Sequence, residues 1–179
     1  MATHLTEDFA EFLRLLSAEG VRFVVIGGQA IIFHGRVRAT LDLDVLVAPS
    51  RANAAKIARV VEQFAAPLVG TYDFTQPDTG IRIGPDAGLH IDVTNSVDGI
   101  QDFDAVWRRA RVGRFLDVEV RFMSAEDMLL TKRAANRAKD KADIVFLQRL
   151  LGLAAPSRPR KRSRQEPSRP TRRRRTTPR

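Results

Sequence analysis

The stretch Leu41-Asp42-Leu43-Asp44-Val45-Leu46-Val47 constrains this chain more than any other, because it sets two acids into a run that otherwise reads as a buried strand. Successive side chains of a strand point to opposite faces, so Asp42 and Asp44 share one face while Leu41, Leu43, Val45 and Val47 share the other. Two like charges on one face repel and cost stability unless something positive lies between them. A divalent cation, a hard ion that takes oxygen ligands, meets that need. Upstream, the β-branched and aromatic run over residues 21–26 ends at Gly27 and Gly28. A Gly-Gly pair after a strand is more often a tight turn than a phosphate cradle. Followed at this spacing by the acidic strand, it points to a metal-and-nucleotide site.

The rest of the chain frames that site as one domain. Its 179 residues are 44% hydrophobic, enough for one substantial core but not for two large ones. The absence of cysteine excludes a disulfide framework and a thiolate metal site. The net charge of +9 is unevenly placed. Residues 155–179 hold eleven Lys plus Arg and one Glu, net +10, whereas residues 1–154 are net −1. The expected organisation is therefore a folded domain over 1–154 and a disordered Arg/Pro-rich tail over 155–179, which has too little apolar content to offset its ordering entropy. Residues 1–20 carry Glu7, Asp8, Glu11 and Glu19 without a leading basic region, unlike a secretory signal. No apolar run approaches the roughly 20 residues that span a bilayer. A cytoplasmic protein without a membrane partner is expected.

Periodicity places the elements. Phe9, Phe12, Leu13 and Leu16 predict a first helix behind an N-cap at Thr6, stopped by Gly20. A strand over 21–26, a short helix over 28–33 and the acidic strand over 40–47 follow. Ser50 caps a helix with Ala54, Ile57, Val61 and Phe64 on one face. Residues 81–83 and 89–94 read as strands, the second alternating so that His90, Asp92 and Thr94 share a face and bring a third carboxylate. A helix over 104–111 is expected to be anchored in the core by Trp107, before a strand over 116–122. Ser124 and Asp127 resemble a capping box opening the helix that holds Met128, Leu129 and Lys132. A last helix over about 140–151 carries Ile144, Leu147, Leu150 and Leu151. The fold class is α+β, a mixed sheet flanked by helices.

Strand, Gly-Gly, short helix and Asp-x-Asp on the next strand together resemble the nucleotidyltransferase superfamily with the polymerase beta-like fold. The stretches Met123-Ser-Ala-Glu-Asp-Met-Leu-Leu-Thr-Lys132 and Arg137-Ala-Lys-Asp140-Lys-Ala-Asp143-Ile144 are similar to the second half of its small bacterial members, the minimal nucleotidyltransferases and the abortive-infection toxins. The resemblance covers residues 5–152. It implies Mg²⁺ or Mn²⁺ held by Asp42, Asp44 and Asp92, ATP or another nucleoside triphosphate approached by the backbone of Gly27 and Gly28, and Lys132 on the triphosphate. It implies in-line attack of an acceptor hydroxyl on the α-phosphate, Asp92 taking the proton. The acceptor implied is RNA, protein or a small molecule, and the toxin-like branch adds an antitoxin protein as partner.

Without the resemblance, Lys132 reads as a solvated helix residue, Arg38 as balancing the acids of the strand that follows it, and His90 as a strand histidine with an ordinary hydrogen bond. Asp140 reads as structural and Asp143 as a weaker site candidate. Two other enzyme classes use Asp-x-Asp. Haloacid dehalogenase-type phosphatases want Thr or Val and a loop where Leu46 and Val47 continue the strand, and glycosyltransferases need a larger body than about 150 residues. A non-catalytic protein binding RNA or another polyanion through its basic tail is the alternative function, but it leaves the three acids unexplained.

Overall fold

The computed structural model describes residues 2–65, 73–84 and 90–153. Helix α1 (Ala2–Ala18) starts ahead of Thr6, which therefore lies within the helix and does not cap it. Its stripe of Phe12, Leu13 and Leu16 is fully buried. Strand β1 (Phe23–Val25), buried throughout, runs straight into helix α2 (Gly27–Phe33). Strand β2 (Asp42–Val47) then returns antiparallel to β1, Val25 opposite Val45. The alternation of β2 holds over Asp42–Val45: Leu43 and Val45 are buried with Val47, while Asp42 and Asp44 retain partial exposure. Leu46, on the acids' face, is buried as well, and Leu41, expected on the packed face, precedes the strand and is exposed.

Helix α3 (Arg51–Ala65) opens at Ser50, whose Oγ accepts from the Asn53 amide at 3.2 Å. It packs on α1, Phe64 meeting Phe12 edge-on with ring centroids 5.1 Å apart. Strands β3 (Gly80–Ile83) and β4 (His90–Thr94) are antiparallel to each other, and β4 lies parallel to β2. Helix α4 (Phe103–Arg109) is capped by Asp102, which accepts from the Asp104 amide at 2.8 Å. Strands β5 (Arg111–Phe115) and β6 (Val118–Phe122) form a hairpin, and β6 pairs parallel with β1. Helix α5 (Ala125–Ala135), a 3-10 turn (Ala138–Asp140) and helix α6 (Lys141–Leu150) complete the described chain. The sheet has six strands in the order β3-β4-β2-β1-β6-β5, both parallel and antiparallel, so the fold is α+β as expected.

Other sequence expectations shift as well. The helix expected to reach Arg111 ends at Arg109, and β5 takes over as an edge strand the sequence did not announce. Trp107 packs against the core but is only half-buried, its ring covered by Arg121 at 4.5 Å and Arg22 at 5.1 Å. Leu150 is exposed, leaving Leu147 as the fully buried apolar residue of α6. Ser124 Oγ does accept from the Asp127 amide at 3.1 Å, and the Asp127 carboxylate accepts from Ser124 Oγ at 3.0 Å and from Arg109 in a two-point pair at 2.7 and 3.0 Å. The basic segment over 155–179 lies outside the described residues, as does Leu89 of the expected 89–94 strand.

Candidate active site

The order of the sheet decides where the acids meet. Placing β4 beside β2 in parallel sets Asp92 directly opposite Asp44, and His90 opposite Asp42. Gly27 and Gly28 open α2 at the same place, because the Ile26 amide donates to the Asp44 carbonyl at 2.9 Å. The far end of α2 is held by His34, whose Nε2 lies 2.7 Å from the Met123 carbonyl, just before α5 begins. A cavity of about 860 Å³ results, and Gly27, Gly28, Asp42, Asp44, Asp92 and Lys132 all line it.

The two glycines make room for the acids. Gly27 has φ of +61°, and a Cβ there would overlap the Asp44 carboxylate, coming within 2.6 Å of its Cγ. A Cβ on Gly28 would run into Thr40, 2.8 Å from that residue's own Cβ. Thr40 Oγ1 donates to Asp42 Oδ1, so Gly28 indirectly seats the first acid while its own amide donates to the Asp44 carboxylate. Burial pushes the Asp44 carboxyl up to about 6 from 3.8, and the neighbouring charges of Asp42 and Asp92 add to the rise. The Gly28 amide and the Lys132 ammonium act in the opposite sense without cancelling it.

Asp92 is engaged differently. Both its oxygens accept from Arg82 across the β3–β4 pair, at 2.7 and 2.8 Å, and His90 Nε2 stands 3.4 Å from Oδ2. As the side chains stand, no three or more His, Asp or Glu among the described residues form a group that could hold a metal ion.

The other wall is basic. Arg38, Lys132, Arg137 and Lys139 line it. Lys132 is buried, with Nζ 2.7 Å from Asp140 Oδ1 and 3.0 Å from Asp143 Oδ2, which removes the solvated-helix reading. Asp140 also accepts from Arg137 at 2.8 Å. Burial alone would raise its carboxyl, but the hydrogen bonds from Lys132 and Arg137 hold it below the ordinary value. Asp143, equally buried, pairs with Arg36 and, at 2.9 Å, with Arg38. Arg38 thus balances an acid on α6, not the acids of the strand it precedes. Sequence reasoning passed over Arg82 and Arg36. Only the β3–β4 register, which sets Arg82 opposite Asp92, brings the first into view.

No curated protein matches the chain by sequence. Among solved structures, the lincomycin-bound lincosamide antibiotic adenylyltransferase LnuA is similar in fold, with 14% identity and a TM-score of 0.54 over 80% of this chain and 96% of that one. An antigenic nucleotidyltransferase-like protein from Paracoccidioides brasiliensis is also similar, with 16% identity and a TM-score of 0.50 over 87% of this chain and 78% of that one. The sequence model of a family described as nucleotidyltransferases of unknown function, DUF6036, matches residues 3–150, and the chain belongs to that family within the nucleotidyltransferase superfamily.

Proposed function

We propose that this chain is a metal-dependent enzyme that moves a nucleoside monophosphate from a nucleoside triphosphate to an acceptor hydroxyl. The observation that supports it most is Asp44: a partly buried carboxylate beside two others, lifted to about 6, with no salt-bridge partner among the described residues. Hard oxygen donors with surplus negative charge suit Mg²⁺ or Mn²⁺. Asp42, Asp44 and Asp92 are the residues to hold it, and the ion would neutralise charge on the phosphates as they react.

The chain's own groups account for the remaining steps. Backbone at Gly27 and Gly28 admits the phosphates closely, since neither residue presents a side chain. Lys132, Arg137 and Lys139 on the opposite wall attract the triphosphate as fixed positive charges. The acceptor oxygen attacks the α-phosphorus in line, the bond to the β-phosphate oxygen breaks, and pyrophosphate leaves. Asp92, at the cavity edge, takes the hydroxyl proton. The similarity to abortive-infection toxins extends the proposal to a toxin restrained by an antitoxin protein, and the basic tail to a contact with RNA. Against a purely binding protein stands the cost of keeping three acids together.

The test is incubation of the purified full chain with each α-labelled nucleoside triphosphate, Mg²⁺ and total cell lysate. Labelled acceptor and released pyrophosphate are expected from the wild type and neither from Asp44→Asn. Labelling that survives in Asp44→Asn overturns the assignment.

A further inference from the structure

We infer that Arg82 is an internal stand-in for the metal, which holds Asp92 while the site is empty and yields it when a divalent cation arrives. The inference rests on the metal-site reading of Asp42, Asp44 and Asp92. Its geometry is independent of that reading. The antiparallel β3–β4 register sets Arg82 directly across from Asp92, and both guanidinium contacts are short, 2.7 and 2.8 Å. A planar guanidinium matching a carboxylate at two points occupies both oxygens that a metal would need.

The pair is also built to open. Its side chains are 42% and 30% exposed, whereas Lys132 and Asp140 are 8% and 2% exposed. Water screens an exposed ion pair, so it holds weakly, while a buried one cannot be broken without stranding charge. Arg82 stands on β3, an edge strand of the sheet. Both Arg82 and Asp92 line the cavity that also contains Asp42 and Asp44. A doubly charged ion seated between Asp42 and Asp44 would pull on the Asp92 carboxylate and repel the guanidinium. The released arginine then faces the cavity, where a triphosphate brings negative charge for it. Metal and nucleotide would thus each favour the same rearrangement, one by taking Asp92 and the other by receiving Arg82.

Mn²⁺ titration of the full chain without nucleotide tests the exchange. Arg82→Gln removes the competitor, so its Mn²⁺ affinity should rise about three- to five-fold, the factor an ion pair of this exposure represents. Arg82→Lys, which keeps the charge but loses the two-point match, should fall between. In the same variants the KM for nucleoside triphosphate should increase. Far-UV circular dichroism confirms that each variant is folded, and should Arg82→Gln not fold, Arg82→Lys carries the test alone. Unchanged or weaker Mn²⁺ binding in the folded variants overturns the exchange. Asp44→Asn separates the two ideas. If it binds Mn²⁺ as well as wild type, the metal-site reading fails. If it loses Mn²⁺ while the Arg82 variants bind as wild type does, only the exchange fails.

Discussion

Lys132 Nζ lies 2.7 Å from Asp140 Oδ1, and both side chains are almost wholly out of solvent. A helix lysine that sequence alone would leave in water is therefore the cation between two acids, since Asp143 Oδ2 is 3.0 Å away. Lys132→Ala leaves Asp140 only Arg137 and Asp143 only Arg36 and Arg38, so it should cost less than the roughly 3–5 kcal/mol of a buried charge left with no partner, but well over about 1 kcal/mol. Lys141→Ala, at an exposed position, should change stability by no more than about 0.5 kcal/mol. Urea unfolding of the two variants reads the difference. Equal midpoints would show that the buried pair contributes nothing.

Asp44→Asn should stabilise the metal-free protein at neutral pH. The folded-state carboxyl titrates at about 6 and the ordinary value is 3.8, so wild-type stability falls as pH rises through that interval and stays level above it. The shift corresponds to up to about 3 kcal/mol, which the neutral amide escapes. The variant should melt higher than wild type at pH 8 in a chelator and about equally at pH 3. Added Mg²⁺ should close the gap by stabilising wild type alone. A gap that is constant with pH would show that Asp44 is not strained.

Gly27→Ala and Gly152→Ala form a matched pair. Both glycines have positive φ, +61° and +67°, but a Cβ at Gly152 meets nothing within 4 Å while one at Gly27 overlaps the Asp44 carboxylate. Each should pay the backbone strain of about 1 kcal/mol. Only Gly27→Ala should also lose Mn²⁺ affinity and nucleotide transfer, because the acid must turn aside. Isothermal titration with Mn²⁺ distinguishes them, and equal affinities would deny Gly27 its role in seating Asp44.

A chain ending at Leu153 should transfer nucleotide as the full chain does but bind RNA more weakly at low salt. The reason is the net +10 carried by residues 155–179, and the effect should vanish as salt displaces phosphate contacts. Filter binding across a salt series measures it. RNA affinity equal to that of the full chain would leave the tail without a binding role.

What could be read ahead of the structure was whatever a local period records. Leu43, Val45 and Val47 against Asp42 and Asp44, or Ile91 and Val93 against Asp92, show two-residue alternation that only a strand reproduces. Strand β5 escaped because Arg111-Val-Gly-Arg-Phe115 lies on the sheet edge. Val112 there is 53% exposed, so no buried face imprints a pattern. The burial of Lys132 and the tie between Arg82 and Asp92 escaped for another reason. Each depends on how two elements meet, α6 folding back on α5 after the left-handed turn at Asn136, and β3 falling in register with β4. Neither side chain carries a local mark of its partner.

Arg38 and Asp143 are joined across 105 positions of sequence. On the ribosome, at about 5–20 residues per second, that separation is a delay of roughly 5–20 s. By late in that interval the acids of β2 and β4 have been synthesised, but Arg36 and Arg38 still have no carboxylate from α6 to settle against. The cleft is therefore closed electrostatically by α6, the last of the described elements to emerge. A nascent chain would carry the parts of a nucleotide site well before it could hold them in place, so competence arrives with α6 and not gradually along the way.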